Sequence, residues 1–236
     1  MNAHVLTIAR MIDHSLLHPT LTGKDIRKGC ETAGNLRTAS VCVKPYALEE
    51  AAIVLKGSDT ALGTVVGFPH GGSSVDIKLR EIEWSCRKGA AEIDAMLNIG
   101  WILGDDWDKV DCEIKSLADV CRKNGVILKL IFETGYLSSP EPKIRLCGLC
   151  RKHGVDFAKT STGYGFLKNP DGTFKATGAT LDDLKLMCSH CLPEVQVKAA
   201  GGIRTLDQVL AMKELGVTRV GTTSTESLIA EAASRF

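Results

Sequence analysis

The residues most able to do chemistry in this chain are lysines at the ends of apolar runs. Residues 155–158 are long enough for a buried strand but not for a helix, and Lys159 closes them. Burying an ammonium group there is costly unless something compensates. Thr160, Ser161, Thr162 and Gly163 follow, a composition suited to a tight turn with exposed backbone N–H groups. An amine so placed can meet a small carbonyl or phosphate-bearing substrate. The alternative is a strand-edge lysine with its head in water.

Two further ionisable residues share this pattern. Lys198 lies near the end of a second apolar run, 195–199, and Asp94 lies within a third, 92–99. If the runs of Lys159 and Lys198 are neighbouring strands, the two ammonium groups approach each other. At about 5 Å and an effective dielectric of about 20, their repulsion is roughly 3 kcal/mol. It pushes one lysine toward the neutral amine that attack on a carbonyl needs. Asp94 can then move protons, directly or through water. A structural ion pair between Asp94 and one lysine is the competing explanation.

Two glycine-bearing segments suit an anion. Residues 200–205 carry Gly201 and Gly202 and lead into a capped helix, and Gly221, Thr222, Thr223 and Ser224 lead into the last helix. Glycines let backbone N–H groups approach an anion, and helix N-termini favour negative charge. Two ordinary strand-to-helix turns would look similar.

The elements that must position these residues alternate along the whole chain. Strand-like runs fall at 9–14, 38–43, 61–67, 92–99, 126–132, 155–159, 195–199 and 218–222. Helical stretches fall at 23–34, 46–56, 105–124, 140–152, 180–191, 205–215 and 224–236. Another helix is expected after Ser73, with Asp76 completing a capping box and Val75, Leu79, Ile82 and Cys86 forming its apolar stripe. Thr205 and Gln208 predict a second cap. Eight strand–helix units predict an α/β fold, a (β/α)8 TIM barrel, as a single domain over residues 1–236. A doubly wound open sheet is the alternative, with fewer strands at this length. In such barrels the chemistry sits at the C-terminal ends of the strands, where these lysines fall.

Composition narrows the partners. The chain has 236 residues, a net charge of +1, 44% hydrophobic and 5% aromatic residues. Its basic residues are scattered, which argues against a nucleic-acid surface. No apolar run approaches a membrane span, and the N-terminus lacks a signal-peptide pattern. Nine cysteines, an odd number, read as reduced thiols of a cytoplasmic protein.

The motifs resemble those of the deoxyribose-phosphate aldolase family, the class I Schiff-base aldolases. The matching segments are residues 12–17, 40–43, 67–71, 92–94, 133–135, 157–163, 198–205 and 221–224, in the family's order and across most of the chain. The resemblance implies that Lys159 forms the Schiff base, that Lys198 perturbs it and that Asp94 serves the proton relay. It places Cys42 in the pocket wall and Asp13 near the sugar hydroxyls. It assigns Gly163, Gly202, Thr223 and Ser224 to the phosphate, beside Thr160, Gly201 and Gly221 of the same loops. The implied reaction is reversible cleavage of 2-deoxy-D-ribose 5-phosphate to acetaldehyde and D-glyceraldehyde 3-phosphate. That chemistry requires no metal or cofactor. The expected partners are phosphorylated sugar and aldehyde substrates, with a homodimer left open. The competing functions are a Schiff-base aldolase for another phosphorylated substrate and a non-catalytic phosphate-binding barrel.

Three features depart from that pattern or add to it. The family often has two serines where Thr223 and Ser224 stand, and Glu226 follows closely. A carboxylate beside a phosphate site is unfavourable unless it points away or pairs with a cation. The stretch 164–178 is longer than the family's usual. It holds the turn sequence Asn169-Pro170-Asp171-Gly172 between Phe166 and Phe174, which predicts a hairpin flap with Lys168 or Lys175 facing the phosphate; a solvated insertion is the alternative. Cys147, Cys150, Cys188 and Cys191 end two neighbouring helices, spaced either for packing or for zinc. His14, His18 and His70 fall in or near predicted loops, where structural roles are expected.

Overall fold

The computed structural model describes residues 2–236. In chain order the elements are α1 (Ala3–Ala9), β1 (Ile12–Leu16), α2 (Gly23–Asn35), β2 (Ser40–Val43), α3 (Leu48–Val54), β3 (Ala61–Val66), α4 (Val75–Arg87), β4 (Glu92–Met96), α5 (Ile99–Leu103) and α6 (Trp107–Asn124). There follow β5 (Ile127–Ile131), α7 (Pro140–His153), β6 (Phe157–Lys159), β7 (Phe166–Lys168), β8 (Phe174–Ala176), α8 (Leu181–Cys191), β9 (Gln196–Ala200), α9 (Leu206–Glu214), β10 (Arg219–Thr222) and α10 (Thr225–Arg235). Among the described residues, eight parallel strands close a barrel in the order β1-β10-β9-β6-β5-β4-β3-β2. The expected (β/α)8 barrel is present. Strands β7 and β8 pair antiparallel outside it, with Phe166 opposite Ala176 and Lys168 opposite Phe174.

The barrel strands are two-faced, as a period of two requires. Ile93, Ala95, Leu128, Leu130, Ala158, Val197, Ala199 and Val220 are buried on the helix-facing side. Each fully buried valine, leucine or isoleucine contributes about 1.5–3 kcal/mol, and each alanine less. The alternate residues face the barrel interior, and on β1, β4, β5, β6, β9 and β10 several of them are charged. Register sets their spacing: Asp94 lies opposite Lys129, Lys159 opposite Lys198, and Lys198 opposite Arg219.

Several boundaries differ from the sequence reading, each for a local reason. The first strand begins at Ile12, because residues 3–9 coil into α1, capped by the Asn2 side chain. The fourth strand stops at Met96, because Asn98 caps the short α5. Helix α6 starts only at Trp107, after Asp105 takes a left-handed φ of 57°.

The cap expected at Ser73 does not form. Ser74 occupies the N-cap of α4 and makes no side-chain cap bond. Of the expected stripe, Ile82 is buried and Leu79 and Cys86 pack half-buried against the core, but Lys78 and Ser85 join the buried face as well. Lys78 can be buried because its ammonium donates to Gly71 O (2.6 Å), Met96 O (2.7 Å) and Glu113 Oε1 (2.6 Å). All three of its protons are satisfied, which a buried cation needs. Glu113 Oε2 accepts from the Asn98 N–H at 3.0 Å, tying α4 and α6 to the end of β4. The cap at Thr205 does form, as a full capping box with Gln208.

Candidate active site

The charged interior residues form one connected cluster. Lys159 Nζ donates to Asp94 Oδ2 at 2.7 Å, and Lys198 Nζ donates to the same oxygen at 2.7 Å. Lys198 Nζ also lies 2.5 Å from Asp13 Oδ2. Beneath them, Lys129 Nζ donates to Asp13 Oδ2 (2.7 Å) and Glu92 Oε2 (2.5 Å). It faces Asp94 Oδ1 at 3.2 Å as an ion pair without a formal hydrogen bond. Arg219 closes the base, donating to Asp13 Oδ1 at 2.6 Å and to Glu92 Oε1 at 3.0 Å. Four cations, Lys129, Lys159, Lys198 and Arg219, thus share three carboxylates, Asp13, Glu92 and Asp94, leaving one positive charge in surplus.

The four cations are not equally compensated. Lys129 touches three carboxylates, Arg219 two and Lys198 two. Lys159 touches one, through an oxygen that it shares with Lys198. Burial accordingly pushes the Lys159 ammonium below the usual lysine range; Asp94 opposes the shift, and Lys198 adds to it. Burial works against Lys198 as well, but Asp13 and Asp94 outweigh it and hold that lysine above its usual range. Asp94 stays ionised despite burial, because Lys129, Lys159 and Lys198 surround it. The sequence reading gave Lys198 the leading part in lowering Lys159. Desolvation leads, and Lys198 contributes behind it.

A cavity of about 300 Å³ opens above this cluster at the C-terminal ends of the strands. Lys159, Lys198, Asp94 and Asp13 form its floor, and Cys42, Ser15 and Leu17 contribute one wall. Burial pushes the Cys42 thiol up to about 12, so it presents S–H rather than thiolate. Gly163, Gly201, Gly202, Gly221 and Thr223 line the mouth. Gly163, Gly201 and Gly202 all have positive φ, a backbone path that suits residues without a Cβ. Arg204 adds a cation to the same rim, within a half-open site suited to a phosphorylated small molecule.

Some candidate residues sit elsewhere. Thr160 is buried behind the cavity wall, where its hydroxyl accepts from the Ala200 N–H at 3.0 Å and ties β6 to β9. Ser224 is the N-cap of α10 and lies outside the cavity lining. Asp13 lines the floor, but Lys129, Lys198 and Arg219 engage its carboxylate, so its main contacts are ionic rather than free for sugar hydroxyls. Glu226 does not line the cavity; it is near enough to His14 to favour that imidazole's charged form, against burial that disfavours it. Of the insertion, Tyr164 reaches the cavity, whereas Lys168 and Lys175 do not.

The four clustered cysteines pack between helices. Cys147, Cys150, Cys188 and Cys191 are buried. The neighbouring Cys147 and burial push the Cys191 thiol well above the usual range. Among the described residues, no group of three or more His, Cys, Asp or Glu side chains is arranged to hold a metal ion, so the zinc arrangement is not assembled.

Similarity to known proteins agrees with this arrangement. Residues 7–220 match the family model described as DeoC/LacD family aldolase. The chain belongs to that family. It is 43% identical over 225 residues to a deoxyribose-phosphate aldolase of Rhodopirellula baltica, covering 95% of this chain and 89% of the relative. It is 40% identical over 222 residues to one from Aciduliprofundum boonei, covering 94% and 95%. Among solved structures, the aldolase QR15 superposes with a TM-score of 0.86 at 31% identity, covering 97% of this chain and 96% of that one. A tetrameric deoxyribose phosphate aldolase from Aeropyrum pernix superposes with a TM-score of 0.86 at 24% identity over 98% and 93%, a likeness of fold.

Proposed function

We propose that the chain reversibly cleaves 2-deoxy-D-ribose 5-phosphate into acetaldehyde and D-glyceraldehyde 3-phosphate through a Schiff base on Lys159. The observation that carries this is the surplus positive charge of the cluster, which falls on the one lysine held by a single shared carboxylate oxygen. A buried amine poised to lose its proton is a nucleophile for an aldehyde. The chain's membership of an aldolase family and its kinship to deoxyribose-phosphate aldolases supply the substrate class.

The steps follow from the contacts. Neutral Lys159 Nζ adds to the aldehyde carbon of the open-chain sugar. Lys198, kept protonated by Asp13 and Asp94, is placed to protonate the carbinolamine oxygen, and water leaves to give the iminium. Asp94, touching both lysine nitrogens, passes protons between them. A base takes the proton of the hydroxyl on the third carbon, a water on Asp94 being the nearest route. The bond between the second and third carbons breaks, and its electron pair moves into the iminium to form an enamine. Glyceraldehyde 3-phosphate leaves. Protonation of the enamine carbon and hydrolysis then release acetaldehyde and restore Lys159. The glycine-lined rim with Arg204 receives the phosphate, and Cys42 and Leu17 wall the small aldehyde end.

Three further readings accompany this one. Hairpin β7–β8 acts as a flap over the mouth, carried on the stem whose Tyr164 lines the cavity. Deleting residues 167–175 should raise the Michaelis constant for the sugar phosphate; an unchanged constant sinks the flap. The chain works in the cytoplasm, in keeping with nine free cysteines and with no described helix long and apolar enough to cross a membrane. It assembles as a homodimer, for which the exposed Ile77 and Trp84, set among Arg80, Glu83 and Arg87, offer a mixed apolar and charged surface, and sedimentation of the purified chain tests that.

The central test is borohydride reduction with acetaldehyde, followed by peptide mass spectrometry. An added two-carbon unit on Lys159 is expected. An adduct elsewhere, or none, overturns the mechanism.

A further inference from the structure

Glu133 is a buried carboxylate that the chemistry above does not use. Its Oε2 accepts from the Thr162 N–H at 3.1 Å and from the Thr162 hydroxyl. Thr162 Oγ1 in turn accepts from the Tyr164 N–H at 3.0 Å. A single carboxylate oxygen therefore organises residues 162–164, and Thr162, Gly163 and Tyr164 all line the cavity. The Tyr164 ring also meets Phe68 edge to face, with centroids 5.6 Å apart.

The backbone is shaped to aim this side chain. Glu133 has a φ of 51°, a left-handed conformation that non-glycine residues rarely adopt. Its neighbours are pinned on both sides, because the Phe132 N–H donates to Lys159 O and the Thr134 N–H donates to Thr160 O, each at 2.9 Å. A strained residue held this firmly points to function. The other oxygen, Oε1, is buried without a hydrogen-bond partner, and so is Thr177 Oγ1 on the far stem of the hairpin. A methyl group built on Gly165 would lie 3.0 Å from the first and 2.4 Å from the second, so the two stems close tightly over the carboxylate.

We infer that Glu133 is a positioning residue: acting through Thr162, it holds Gly163 and Tyr164 in the wall that receives the phosphorylated half of the substrate. It thereby sets affinity for that half rather than bond formation at Lys159. The inference rests on the aldolase reading. It separates two properties that a merely structural role would move together. One is the KM for the sugar phosphate. The other is the rate at which acetaldehyde, which has no phosphate, is trapped on Lys159.

The test compares Glu133→Ala and Glu133→Gln. The glutamine carbonyl can still accept both bonds from Thr162, so its KM and trapping rate should stay within about threefold of the parent. Glu133→Ala should raise KM on the order of 10–100-fold, the scale of a misplaced binding group, with trapping within about threefold. An unchanged KM in Glu133→Ala overturns the inference. So does a trapping rate that falls as far as KM rises, or a glutamine variant as impaired as the alanine one. If Glu133→Ala does not fold, Thr162→Val removes the hydroxyl at constant volume; a raised KM supports the clamp and an unchanged KM overturns it. A parent protein that forms no adduct on Lys159 sinks the aldolase reading and this inference with it. A parent that forms one, with KM indifferent to these changes, sinks the inference alone.

Discussion

Lys159 and Lys198 donate to the same oxygen of Asp94, each at 2.7 Å. Two ammonium groups on one carboxylate oxygen cannot both be fully compensated, and Lys198 has Asp13 as a second partner. The shared oxygen therefore makes the two lysines unequal, and the proposed mechanism uses one as nucleophile and the other as acid.

Lys198→Leu removes the cation that helps to lower Lys159. The amine at Lys159 then holds its proton to higher pH. The borohydride-trapping profile with acetaldehyde should shift upward, and trapping near neutral pH should fall by about tenfold or more. A profile that stays in place would show that burial alone sets the reactivity of Lys159.

Lys159→Leu should abolish cleavage without loss of stability. Removing the surplus cation leaves three cations on three carboxylates. The sign follows from linkage. The folded protein holds Lys159 below its usual range, so at neutral pH keeping it protonated costs stability. That cost disappears as pH rises toward the unfolded value of about 10.4. Thermal melts should show the variant at least as stable as the parent at pH 7, with the gap narrowing toward pH 10. A variant much less stable at neutral pH would contradict the charge count.

Lys129→Met acts in the opposite direction. Asp13, Asp94 and Glu92 all lean on this ammonium and hold it well above the usual lysine range, against burial. Removing one partner of a buried ionic group costs about 3–5 kcal/mol, which denaturant unfolding would measure. The remaining cations match the carboxylates only if Lys159 keeps its proton. Trapping at neutral pH should therefore fall as well, although Lys129 does not line the cavity. Full stability with unchanged trapping would refute the shared-cluster account.

The barrel and two of its lysines were legible because they interrupt apolar runs. Lys129 carries the same mark, a lone lysine in Ile-Leu-Lys-Leu-Ile, and holds the same middle place in β5 as Lys198 does in β9; Leu130, Ile131 and Phe132 follow it, so the run reads as continuous core. Glu92 and Arg219 sit at strand starts, where a charge reads as a solvated end. Their partners lie far away in sequence, Arg219 being 206 residues from Asp13, so no local spacing announces the pairing. Lys78 on α4 was hidden for the same reason, its partner Glu113 lying 35 residues away. Thr160 and Ser224 were drawn into the substrate site by their neighbours in sequence. A turn exposes some of its side chains and buries others, and only backbone geometry tells which.

Gly178 offers a last test, of the wall rather than the floor. A Cβ there would lie 2.5 Å from Gly201 O and 2.8 Å from its carbonyl carbon, backbone atoms that cannot turn aside. The Ala179 N–H donates to Ala200 O at 3.0 Å, so this stem of the hairpin buttresses the rim loop from behind. Gly178→Ala must push residues 177–179 and the Gly201 turn apart, costing about 1–3 kcal/mol. Lys159 and Asp94 lie on the strands beneath and should not move. The expected outcome is a raised KM for 2-deoxyribose 5-phosphate with acetaldehyde trapping on Lys159 nearly intact. A normal KM would mean that the rim tolerates displacement and that phosphate is held elsewhere.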